Sequence, residues 1–217
     1  MAVELSSQNC LQAEVRGSGP PLVLLHGLFA SGSNLRAVAN ELANTYTVHS
    51  IDLPLHGKSK LVRANSIEAM ARHVMAYIQD NSIFMPVVVG HSLGGKVAMS
   101  AVLAGLQCKA LVVLDIAPVA YAASHQTAFG AIGRVAKSAL ISRQAVRDCM
   151  AETLYDNMTI DFLSTQLHKS DAGHFQWKFD WLALQDNYAA FLAASVADDS
   201  NETPSLFIAG ELSNYIA

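Results

Sequence analysis

The chain has 217 residues, 52% of them apolar. That is enough to fill one hydrophobic core with room for an inserted subdomain, and too apolar for a disordered protein. Fourteen Lys and Arg face eighteen Asp and Glu for a formal net charge of −4. No basic block is present to follow a phosphate backbone, so nucleic acid is not an expected partner.

The opening segment "MAVELSSQNC" lacks the basic start and apolar core of a signal peptide, and no apolar run approaches the roughly 18 residues of a membrane span. The expectation is a cytoplasmic protein with no membrane partner. Cys10, Cys108 and Cys149 are widely spaced, with no CxxC pair, and are expected to be buried thiols.

In chain order, "LQAEV" at 11–15 is expected as a strand turned by "RGSG" into the next, "PLVLLHG" at 21–27. A helix is expected after Ser33 and Asn34, with Leu35, Val38 and Leu42 on one face. The strand "YTVHSIDL" at 46–53 follows. Next comes a helix opened by Asn65 and Ser66, with Ile67, Met70, Val74 and Ile78 at helical spacing and Glu68 in the first turn, where the helix dipole favours an acid. The run "PVVVG" at 86–90, a helix over Leu93–Leu106, "KALVVLDIAP" at 109–118 and "PSLFIAG" at 204–210 complete the pattern. The apolar runs are nearly continuous, as in strands covered on both faces. Strand alternating with helix predicts an α/β fold, a doubly wound and mostly parallel sheet.

From Pro118 to about Thr203 no strand-like run occurs, while "SRQAVRDCMAETLYDNM" and "WLALQDNYAAFLAA" carry helical spacing. Such a length is too great for a plain connection and predicts an inserted helical cap. The expected divisions are a core over 1–117, a cap over 118–203 and a core continuation over 204–217.

Ligands of a doubly wound sheet bind at the C-terminal strand ends, where this sequence places His26, Gly27, Asp52, Ser92, Asp115 and the group 210–213. "GHSLG", Gly90 to Gly94, fits GxSxG between a β run and a helix, the context of a nucleophile elbow. Ser92 is the candidate nucleophile. An acyl-transfer oxyanion needs two preorganised N–H donors; Leu93 supplies one, and Leu28 in "HGLFAS", or Phe29 if that turn is one residue longer, supplies the other. His26 is read as shaping this loop, and Asp52, in "IDLPLHGKS", as a loop organiser with Gly57 and Ser59. No metal and no cofactor are expected, since the chain has no HExxH, no P-loop spacing and no GxGxxG opening the first helix.

With "HGLFAS", "IDLPLHGKS", "GHSLGGKVAM", "LDIAP" and "FIAGELSNYI" in this order, the chain resembles the α/β-hydrolase family, and within it the small bacterial esterase branch. The resemblance implies a serine hydrolase acting on small or short-chain acyl esters beneath a helical lid, with thioester and C–C bond cleavage as alternatives. From another class, a non-catalytic binding protein on the same fold is the competing reading. Family members commonly carry the triad acid in a GxxD arrangement after the strand matching "PSLFIAG", where this chain has Ser213. Asp115 is then the expected acid, as in a branch of the family that places it there, with Glu211 the alternative.

The base is missing from the pattern. The family order is Ser, acid, His, with the histidine in a loop after one further strand, whereas this sequence ends seven residues after Gly210. Of the eight histidines none stands at the expected place, so the chain is expected to be a C-terminally shortened hydrolase with impaired turnover. The strand "PSLFIAG" would then be a bare edge, leaving monomer or edge-strand-mediated dimer open. Substrate contacts are expected from Phe29, His91, Trp177 and Trp181, within an aromatic set that includes Phe129, Phe175, Phe179 and Tyr188.

Overall fold

The structure, a computed structural model, describes residues 10–193, 200–211, 213, 215 and 216. The N-terminal stretch 1–9, and Leu212 and Asn214 of the last motif, lie outside the described residues.

Six strands, β1 (Ala13–Arg16), β2 (Pro21–Leu25), β3 (Thr47–Ile51), β4 (Val87–His91), β5 (Ala110–Leu114) and β8 (Ser205–Ile208), form one sheet in the order β1-β3-β2-β4-β5-β8. All pairings are parallel except β1 with β3. "RGSG" turns β1 into β2 as expected, but the two strands do not pair. The turn carries the chain past β3, which lies between β1 and β2 and hydrogen-bonds to both.

Three helices cover the sheet: α1 (Arg36–Leu42), α2 (Ile67–Asp80) and α3 (Leu93–Leu103). The start of α2 follows the sequence signals, with the Ser66 side chain accepting from Ala69 N–H, and Ile67, Met70, Val74 and Ile78 all buried. α1 differs. A 3-10 turn over Gly32–Leu35 precedes it, Val38 is exposed, and Ala39 is the residue it buries.

The continuous apolar runs are explained by two cores, one on each face. Val23 and Leu25 of β2 join the large core with α2 and α3, while Leu22 and Leu24 join a smaller one with Ala39, Val48 and Val89. α3 is buried over nearly its whole length because it sits in the centre of the larger layer.

Between β5 and β8 the described residues of the insert form five helices, α4 (Gln126–Lys137), α5 (Arg143–Ala151), α6 (Asn157–Thr165), α7 (Trp181–Asp186) and α8 (Tyr188–Leu192). It also contains a hairpin that helical spacing alone does not reveal, β6 (Leu167–Lys169) paired antiparallel with β7 (Phe175–Trp177). Its strands are three residues long, too short for period-2 alternation to show. β8 is a sheet edge with Leu206, Phe207 and Ile208 about half exposed. Of the three cysteines only Cys108 is buried; Cys149 is partly exposed, and Cys10 is exposed because it precedes β1 at the sheet margin.

Candidate active site

The strand order sets the site. β3 lies on one side of β2 and β4 on the other, so the chain changes direction of winding between β2 and β4, and a crevice opens at their C-terminal ends. Gly27 and Leu28 follow β2, and Ser92 follows β4. A Cβ added at Gly27 would stand 3.3 Å from Ser92 Cβ, a measure of how closely the two loops meet.

Ser92 has φ 51° and ψ −117°, a conformation that residues other than glycine rarely adopt. Its cost is met by the surroundings. Ser92 N–H donates to Leu114 O at 3.0 Å, and the Ser92 carbonyl accepts from Gly95 and Lys96 N–H to start α3. Gly94 has to be glycine, since a Cβ there would come within 2.5 Å of Leu25 O. This strained strand-to-helix turn has the backbone geometry that a nucleophile elbow requires.

Leu93 opens α3, so its N–H has no carbonyl one turn back to bond. Leu28 N–H takes no backbone partner among the described residues. Both flank Ser92, as an oxyanion site requires. Phe29, with φ 61°, turns its ring away and is buried against Phe129, Phe179 and His125.

Asp115 directly follows β5 at φ 56°, and its N–H donates to Ile208 O at 2.8 Å. One carboxylate oxygen accepts Gly210 N–H at 3.1 Å, so the loop after β8 closes over it. Glu211, in the same loop, is exposed. Asp52 ties two loops together, its two oxygens accepting Gly32 N–H at 2.7 Å and Lys58 N–H at 2.8 Å.

The histidines divide by role. His26 is fully buried, its Nδ1 next to Gly27 O at 2.9 Å and its Nε2 accepting Leu53 N–H at 3.0 Å. Burial holds its pKa down to about 4, so it is a neutral brace between two loops. His56, also fully buried, sits beside Pro54 O and is pushed to about 3 by burial, with neighbouring His26 acting in the same direction. His49 and His73 are tied to Tyr77 and Arg63, away from the crevice.

His91 and His125 share a cavity with Ser92. Burial lowers the pKa of each, and for His91 the nearby Asp115 carboxylate opposes the shift. His125 Nδ1 lies 2.5 Å from Tyr188 Oη. Among the described residues no histidine hydrogen-bonds to the Ser92 hydroxyl or to the Asp115 carboxylate.

Two cavities flank Ser92. One, about 40 Å³, is apolar and is lined by Leu28, Leu93, Ile116, Tyr121, Phe191 and Leu192 among others. The other, about 360 Å³, is walled by His26, Asn34, His91, His125 and Phe162. The two tryptophans expected as substrate contacts line neither. Trp177 is spent on packing, stacked on Phe179 with its indole N–H donating to Ile132 O at 3.0 Å. Trp181 packs on Gly133 and borders a separate groove on the insert.

Lys96 lies within the motif "GHSLGGKVAM", but sequence reasoning gives it no role. One turn beyond Ser92, its ammonium donates to the carbonyls of Val119, Leu192 and Ala193 at 3.0, 3.1 and 2.5 Å. These carbonyls lie on the two stalks of the insert, so a single cation ties both to α3. Burial pushes its pKa down to about 8. The signal available is a charged residue inside the otherwise apolar stretch "SLGGKVAMSAV".

The alpha/beta hydrolase family matches residues 22–215. The chain belongs to that family. As a hydrolase it is 31% identical over 207 residues to the esterase YbfF of Escherichia coli (strain K12), covering 94% of this chain and 79% of that protein. It is 30% identical over 213 residues to the sn-1-specific diacylglycerol lipase ABHD11 of Danio rerio, covering 93% of this chain and 66% of that protein. Among solved structures, a marine microorganism esterase superposes with a TM-score of 0.87 at 30% identity, covering 96% of this hydrolase and 83% of that chain. Among the described residues no cluster of metal-ligating side chains occurs, and no helix is long and apolar enough to cross a membrane.

Proposed function

We propose that this hydrolase is a carboxylesterase of small acyl esters, with Ser92 the nucleophile and an acyl-enzyme as intermediate. The observation that carries the reading is the elbow itself: Ser92 at positive φ between the N–H groups of Leu28 and Leu93, at the mouth of two unequal cavities. The similarity to proteins named as esterases supports the choice of esters.

Attack by the Ser92 hydroxyl on the ester carbonyl passes the hydroxyl proton to solvent and puts negative charge on the carbonyl oxygen, which the two N–H groups stabilise. Collapse of the intermediate expels the alkoxide, which takes a proton from solvent and leaves as the alcohol, and water then cleaves the acyl-enzyme to the acid and the free Ser92 hydroxyl. Asp115 is the acid that would orient an imidazole base. The described residues supply no imidazole bonded to both Ser92 and Asp115, so we assign this chain slow acylation. Oxyanion donors and binding alone can leave about 10³ to 10⁴ of acceleration over water. The insert serves as a lid, held down by Lys96.

The 40 Å³ cavity is our acyl pocket. It is small and mostly apolar beside Ser92, which suits a short acyl chain. The larger polar cavity takes the alcohol. The test is hydrolysis of p-nitrophenyl esters of increasing acyl length, with Ser92→Ala as control. Ser92-dependent turnover that peaks at or below four carbons is expected; a peak at eight or more would overturn the assignment of the pocket.

A further inference from the structure

A third cavity, of about 440 Å³, lies at the end of β3 on the side away from Ser92. None of its lining residues lines either cavity beside Ser92. Its size is that of a small-molecule site. Four cationic side chains border it: Arg36 at the start of α1, Lys58 and Lys60 in the loop after β3, and Lys178 after β7 in the insert.

The opposing carboxylates are Asp52 and Glu14, and both are engaged. Asp52 receives two backbone N–H groups, and Glu14 pairs with Arg16 and, at 3.8 Å, with Arg36. Lys60 and Lys178 each give one ammonium proton to a carbonyl, of Trp177 at 2.9 Å and of Thr165 at 2.8 Å, and keep two donors to spare. The Lys58 side chain has no partner among the described residues, and its exposure leaves it free to swing over the cavity.

A second observation points the same way. Ser50, on β3 and 3% exposed, lines this cavity with its hydroxyl buried and unpartnered. A buried hydroxyl without a protein partner is uncommon enough to call for an explanation, and a ligand oxygen in the cavity it borders supplies one. A surface crevice that merely solvates charge would not explain it.

We propose that this cavity binds a phosphorylated small molecule, whose phosphate oxygens face Lys58, Lys60 and Lys178 and accept the Ser50 hydroxyl. Phosphate suits the donor set because lysines approach it as point charges from several directions, whereas a lone carboxylate is better served by the flat fork of an arginine. Because the cations come from both the core and the insert, the bound anion ties the two together. The site is independent of the esterase reading.

The experiment uses pyrophosphate as probe, titrated calorimetrically into the chain in phosphate-free buffer at low salt, with thermal unfolding in parallel. Saturable binding and a raised Tm are expected, with affinity falling as KCl is added. Lys58→Gln and Ser50→Ala each remove a group that bonds nothing in the free protein, so both should fold with an unchanged unliganded Tm. Each should weaken pyrophosphate by about tenfold, the worth of one charge-assisted hydrogen bond. Absence of saturable binding, affinities unchanged in both variants, or equal binding of acetate would overturn the proposal.

Discussion

The Ser92 N–H donates to Leu114 O at 3.0 Å, so the proposed nucleophile is bonded to the residue that precedes Asp115. This extends the β4–β5 ladder one step past the strand and fixes both turns to each other. Both residues then take positive φ, 51° and 56°, and leave the sheet in a defined direction. A proposed nucleophile and acid thus share one backbone brace, before any third group orients them.

The elbow has no slack at Gly94. Adding a methyl there puts it 2.5 Å from a strand carbonyl, which cannot yield without moving β2. Gly94→Ala should cost at least about 2 kcal/mol in urea unfolding. It should also remove Ser92 reactivity, because the same strand leads into the Leu28 donor.

Asp115→Asn separates fold from chemistry. Asparagine tolerates the left-handed backbone and can still accept Gly210 N–H, so stability should change by less than about 0.5 kcal/mol. Its loss of charge should abolish any benefit that an added imidazole confers on ester hydrolysis. A full benefit in Asp115→Asn would move the acid elsewhere, with Glu211 the next residue to substitute.

Much of this site is legible in the sequence because it depends on short-range rules. GxSxG after valines demands an elbow, and "PLVLLHGL" demands a loop beside it once β2 and β4 are neighbours. Ser66 and the Ile67, Met70, Val74, Ile78 stripe define α2 in the same way. The rest depends on contacts across the chain. Lys96 acquires its role only when residues 119 and 192–193 come together around it, and Trp177 is removed from the crevice by stacking on Phe179. The β1–β3 pairing and the three-residue strands of the insert hairpin have too little local signal to be read in advance.

Lys96→Met keeps the length of the side chain and removes the ammonium that joins the two stalks. Up to three charge-assisted bonds of a buried ammonium are lost, so a loss of at least about 2 kcal/mol is expected. The sharper readout is local: amide exchange and proteolysis should accelerate around Val119 and Ala193, and KM should rise more than kcat falls. Unchanged protection at both stalks would show that the lid is held by packing alone.

His26 and His56 predict a pH dependence. Each has its folded pKa depressed from 6.5, to about 4 and about 3, so between those values and 6.5 the unfolded chain binds more protons than the folded one. Stability is therefore full above about pH 6.5 and falls as the pH drops toward 4, at up to about 1.4 kcal/mol per pH unit for each group. Urea unfolding from pH 7.5 to 4.5 measures it. His56→Leu, which also removes the unpartnered Nε2, should flatten the slope by about half.

Whether Ser92 is the nucleophile is decided by single-turnover reaction with p-nitrophenyl acetate, with and without added imidazole, followed by peptide mass mapping. The prediction is an acetyl group on Ser92, formed slowly by the chain alone, faster with imidazole, and absent from Ser92→Ala at both conditions. Acetylation elsewhere with Ser92 unmodified, or equal release of nitrophenol by Ser92→Ala, would contradict it.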